Sequence, residues 1–166
     1  MNYIYYLITN NIIMESHNLS VVDVSQILLS LSEDRVEDWM TPLKLQKLLY
    51  YSQAVSLVMT WKSLFLADIQ AWAHWPVVPE IFQKYKPYGS LIITDVELEY
   101  ELPTDWVINE IFTFTWEMYS WYTAKWLEKL THEEYPWIEA RWGLPPLATS
   151  NNVISLESMI TYYSVN

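Results

Sequence analysis

A single compact domain, mainly α-helical and built from several helices, is what this chain of 166 residues predicts. Three observations carry that reading. Apolar residues recur at helical spacing in 21–33, 42–59, 105–119, 123–130 and 155–163. Several of these segments begin at a capping residue and end at a proline or a short polar break. Only 91–102 alternates like a strand, so β structure is expected to be at most a small element there. At 52% hydrophobic and 17% charged residues, the chain has ample material for a core and lacks the composition of a disordered one.

The elements follow in order. Tyr3–Met14 is apolar but broken by Thr9, Asn10 and Asn11. It is shorter than the roughly 20 residues that span a bilayer, and it has neither the basic start nor the small-residue cleavage site of a signal peptide. We read 1–18 as an N-terminal extension on a domain at 19–166, with Met14 as a natural start. The alternative for 1–13 is a strand or helix packed on the body. Val21–Glu33 predicts the first helix. Thr41 reads as the N-cap of the second and Pro42 as its first residue, where the missing N–H costs nothing. That helix runs to about Met59. Trp61–Phe65 reads as a turn, Ala67–Ala73 as a short helix, Pro79–Tyr85 as a helix opened by proline, and 86–89 as a loop. In 91–102, Val96, Leu98, Tyr100 and Leu102 alternate with Asp95, Glu97, Glu99 and Glu101; the acidic side reads first as a solvated strand face, and otherwise as an edge for a partner strand or basic surface. Asp105–Tyr119 is a long amphipathic helix, and Thr123 caps another through Leu130. Thr131–Glu134 has capping-box spacing for a further helix containing Pro136 and ending at Leu144–Pro146. Ser155–Tyr163 is the last.

The net charge of -11 argues against a phosphate-backbone binder, so no direct nucleic acid is expected. It suits solubility or a basic protein partner. There is no cysteine, which removes disulfides, thiolate catalysis and cysteine-ligated metal, and fits a cytoplasmic location. His17, His74 and His132 are scattered without metal-ligand spacing, and no P-loop, GxGxxG, GxSxG or HExxH occurs. No cofactor is expected.

Three short signatures stand in order: MTPLKLQKLLYYSQA from Met40, AWAHWPVVPEIF at 71–82 and LTHEEYPWIEAR at 130–141. Together they resemble the Panacea domain, also called the SocA-like antitoxin domain, over about Leu19 to Tyr163. The resemblance implies a type II antitoxin that neutralises a cognate protein toxin by direct contact, found in prophages, with no catalytic step. One branch of the family acts as an adaptor that delivers its toxin to the ClpXP protease, which is the alternative mechanism here. The residues marked for partner binding are Lys44, Gln46, Lys47, Tyr50, Tyr51, Trp72, His132, Trp137 and Arg141, since Tyr, Trp and Arg concentrate at binding hot spots. For Lys44, Lys47 and Arg141 the plainer reading is pairing with acids inside the fold. The competing reading is a prophage-associated enzyme with a cryptic site at His132, Glu134 and Arg141, although a helix-start histidine bonded to a nearby carbonyl or carboxylate is the plainer role.

Two glycines against ten tryptophans invert ordinary usage. Trp75 stands where the resemblance implies glycine, and Trp61 follows a helix at a probable turn. Trp39, Trp121, Trp126 and Trp142 are also out of place, while Trp72, Trp116 and Trp137 match aromatic positions. One hypothesis is UGA codons read as Trp where the source organism reads Gly. UGG codons at those positions would end it.

Overall fold

The computed structural model describes residues 16–33, 40–94 and 103–165. Its centre is a 19-residue helix whose residues from Lys44 to Leu57 are buried on every side. A helix apolar on one stripe only would sit at the surface; this one carries Leu45, Leu48, Leu49, Tyr50, Tyr51, Ala54 and Leu57 around its circumference and so is wrapped by the others. We label the helices α1 (Val21–Glu33), α2 (Pro42–Thr60), α3 (Pro79–Tyr85), α4 (Trp106–Tyr119), α5 (Ala124–Glu133), α6 (Tyr135–Ala140) and α7 (Leu156–Tyr163). Every one of the others except α6 packs directly on α2. The fold is mainly α, as expected.

Local chemistry sets most boundaries. The Thr41 side chain accepts from the Lys44 N–H with Pro42 at the first turn of α2. Asp105, Thr123 and Ser155 cap α4, α5 and α7 in the same way. At the other end of α2, Trp61 adopts φ 61 and ψ 18, the left-handed C-terminal position that favours glycine. The first residue of the expected turn therefore has a glycine backbone under a tryptophan side chain.

Among the described residues the strands are short. β1 (Ser16–Leu19) pairs parallel with β2 (Ser63–Phe65), and β3 (Gln70–Ala71) pairs antiparallel with β4 (Pro76–Val77). Gln53 on α2 reaches β2, accepting from the Leu64 and Phe65 N–H groups and donating to the Phe65 carbonyl. So 61–65 is a turn followed by a strand. The expected helix at 67–73 is a correction: Gln70 pairs with Val77 and bridges to Val153, and the Ala71 N–H donates to Asn152. Val153 and Asn152 are more than eighty residues away, so tertiary pairing overrides the local pattern. Leu91–Thr94 form no strand; the Ile93 N–H donates to the Met40 carbonyl. The alternating residues 95–102, the extension 1–13 and Trp39 lie outside the described residues.

The 131–134 segment is a second correction. Thr131, His132 and Glu133 form the last turn of α5 rather than a capping box. The Thr131 hydroxyl donates back to the Glu128 carbonyl. Glu134 is extended, and its side chain makes no cap bond to α6. α6 ends at Ala140, well before Leu144.

Candidate functional site

The first half of α2 carries Lys44, Gln46, Lys47, Tyr50 and Tyr51, all buried. Burying polar groups is costly unless they are bonded, and Lys44, Gln46, Lys47 and Tyr51 each find a partner on another segment. Lys44 Nζ donates to the Ser120 carbonyl at 2.6 Å, tying α2 to the break between α4 and α5. Gln46 closes a two-way clamp on Val78, the residue before α3: its Oε1 accepts from the Val78 N–H at 2.7 Å and its Nε2 donates to the carbonyl at 3.3 Å. Lys47 is wholly buried, with Nζ 3.0 Å from the Thr131 hydroxyl and 5.7 Å from the Trp75 ring centre. Burial pulls its ammonium down to about 7, against the opposing pull of Glu128 and Glu134.

A second group gathers around Glu134. Tyr51 donates to one carboxylate oxygen at 3.0 Å and Tyr163 to the other at 2.6 Å. Burial raises the Glu134 pKa, and these hydroxyls work against that rise. The same burial, with the carboxylate among the neighbours, pushes Tyr51 and Tyr163 upward and Tyr119 up to about 12. Tyr119 stacks on Tyr51 with centroids 4.0 Å apart and planes at 10°. The Tyr50 hydroxyl lies near Glu134 and Tyr163 but meets hydrogen-bond geometry with neither, and is a buried hydroxyl without a partner among the described residues.

The third group lies across α5 and α6. The Trp137 ring packs against His132 at 4.6 Å and the Arg141 guanidinium at 5.1 Å, and its Nε1 donates to the Trp72 carbonyl. His132 Nε2 pairs with the His74 carbonyl, and burial lowers its pKa. Arg141 donates to four carbonyls, those of Ala71, Pro145, Pro146 and Ala148. Trp72 is half-buried, edge-on to Phe82, with its Nε1 on Gln70. This group fastens the β3–β4 hairpin to α5, α6 and the 145–148 loop.

The sequence-marked residues thus form interior fasteners, not one continuous face. His132, Glu134 and Arg141 turn to three different sets of partners: a hairpin carbonyl, two tyrosines and a loop of carbonyls. Among the described residues, no group of three or more His, Asp or Glu is placed to hold a metal ion. No described helix is long and apolar enough to cross a membrane.

Two cavities flank these groups. One, of about 450 Å³, lies over Trp72, His74, Trp75 and residues 147–151, and the His132 ring does not line it. The other, of about 420 Å³, opens between α2, α4, α5 and α7, with Glu134 and the tyrosines at its wall. Sequence reasoning missed Tyr119, Tyr162 and Tyr163. Their signal was the thirteen tyrosines and the adjacent Tyr162–Tyr163 pair on the final helix.

A family model described as "Antitoxin SocA-like, Panacea domain" matches residues 45–138, a narrower span than the three signatures. Comparison with curated proteins finds no match, and comparison with solved structures finds none either. The matched segment runs from α2 into α6, takes in Lys47, Tyr51, Glu134 and Trp137, and covers more than half of the chain. The chain belongs to the SocA-like antitoxin, Panacea domain family.

Proposed function

We propose that the protein is the antitoxin of a toxin–antitoxin pair and neutralises its toxin by binding it directly, as a non-enzymatic, cytoplasmic protein. The family match over 45–138 carries this reading. Two physical features support it. The His, Glu and Arg side chains nearest to a catalytic set are engaged in holding the fold together. The α4 surface exposes Phe114 and Met118 at 47% and 50%, one turn apart, apolar area of the kind that marks contact with another protein. The net charge of -11 suits attraction of a basic partner to the chain as a whole.

The test is growth rescue. The gene beside this one is expressed alone and then with this chain. Growth arrest relieved by co-expression supports the reading; arrest that persists with the chain present and soluble contradicts it. Repeating the rescue in cells without ClpXP separates masking from delivery to the protease, because masking survives the loss of the protease.

A further inference from the structure

We propose that the cavity between α2, α4, α5 and α7 is an anchor pocket for a cationic side chain, arginine or lysine flanked by apolar residues, of the protein partner. The inference rests on the antitoxin reading and names the chemistry its partner must carry. The cavity holds about 420 Å³, within the size range of pockets that take a side chain or small ligand. Its wall is aromatic: Tyr51 and Tyr119 stack, and Tyr162 meets Tyr163 edge to face at 5.0 Å. Tyrosine faces attract guanidinium and ammonium groups, most strongly where water is excluded.

Glu134 supplies the charge. It is 7% exposed, and it lines the cavity. A carboxylate offers about four acceptor sites, and two of these are taken by Tyr51 and Tyr163. No ion pair involves Glu134 among the described residues. Lys47, the buried cation that acts on it, bonds to Thr131 instead. An incoming guanidinium therefore finds an acceptor held in place by two hydrogen bonds and not neutralised by a contacting cation. Around the mouth, Met59 and Met118 are 46% and 50% exposed. Methionine adapts to irregular apolar partners, which fits apolar residues on either side of the cation. None of the tryptophans with suspect codons lines the cavity, so the site stands whichever residue those codons specify.

The experiment has two arms. In the first, the purified full chain is titrated by calorimetry with a pentapeptide bearing arginine between leucines, and with the same peptide bearing norleucine. The arginine peptide is expected to bind, with Glu134→Gln weakening it about ten-fold, the effect of 1.4 kcal/mol. Equal binding of the two peptides, binding of neither, or full binding to a folded Glu134→Gln variant overturns the proposal. In the second, growth rescue is repeated with Glu134→Gln and with Met118→Lys, which places a like charge at the exposed mouth and leaves the core intact. Loss of rescue by both, with wild-type melting curves, supports the pocket. Rescue by both overturns it while leaving the antitoxin reading in place; failure of the wild type overturns that reading, and the peptide arm still decides the pocket.

Discussion

Lys47→Met is the most informative single perturbation of the fold. The ammonium sits at 0% exposure in the middle of α2, with the Thr131 hydroxyl as its hydrogen-bond partner. Its pKa falls from 10.5 to about 7, mainly because burial disfavours the charge. The folded state therefore prefers neutral lysine, while the unfolded chain keeps its proton until pH 10.5. Between these values the unfolded state binds more protons, so stability rises with pH. Integrating from pH 7 to pH 9 gives about 2 kcal/mol of added stability from this residue. For a chain of this size that is roughly 4–8 °C in melting temperature. Methionine fills similar volume without a charge, so the Lys47→Met protein should lose that rise and be the more stable of the two at pH 7. Thermal melts of both proteins at pH 7, 8 and 9, followed by circular dichroism, measure it. A parallel rise in the variant, or none in the wild type, would refute the reasoning and place the ammonium in contact with water.

Three further outcomes follow from the same geometry. Trp61→Gly should exceed Trp61→Ala in stability by about 1 kcal/mol, since both remove the ring but only glycine relieves φ 61; equal melting temperatures would mean the backbone at 61 is unstrained. Arg141→Lys should cost roughly 2–4 kcal/mol in chemical denaturation, because a single ammonium cannot serve the four carbonyls that the guanidinium holds; a loss under 1 kcal/mol would show those bonds to be redundant. Wild-type stability should fall as pH rises above 10, because the unfolded chain's phenols ionise there while burial keeps those of Tyr51 and Tyr163 protonated; Tyr51→Phe should reduce that fall, and an unchanged profile would contradict it.

The helices were legible because their signals are local. Thr41–Pro42, Asp105, Thr123 and Ser155 each place a cap oxygen over a free N–H, and the structure begins a helix at each. The β3–β4 hairpin was not legible, since Gln70 is held not only by nearby Val77 but also by Val153, more than eighty residues away, which no local pattern announces. The capping box at 131–134 failed for a related reason: Thr131 and Glu134 have partners in Lys47 and Tyr51, more than eighty residues away. Burial of the cations was legible, their partners were not. Pairing with acids inside the fold was open for Lys44, Lys47 and Arg141; all three are buried, but they donate to backbone carbonyls and to the Thr131 hydroxyl. The cavity beside Glu134 was hidden because its wall joins residues from the second helix and the last one, with aromatic side chains that read equally well as core.

The central claim is that this chain acts by holding another protein. The most direct measurement mixes the purified full chain with the purified product of the adjacent growth-arresting gene, with no protease present, and follows both complex formation by analytical ultracentrifugation and the product's activity in a cell-free assay. The account predicts a stable complex of defined stoichiometry in which that activity falls in proportion to the complex formed. Full activity in the presence of excess chain, with no co-sedimenting species, would contradict it.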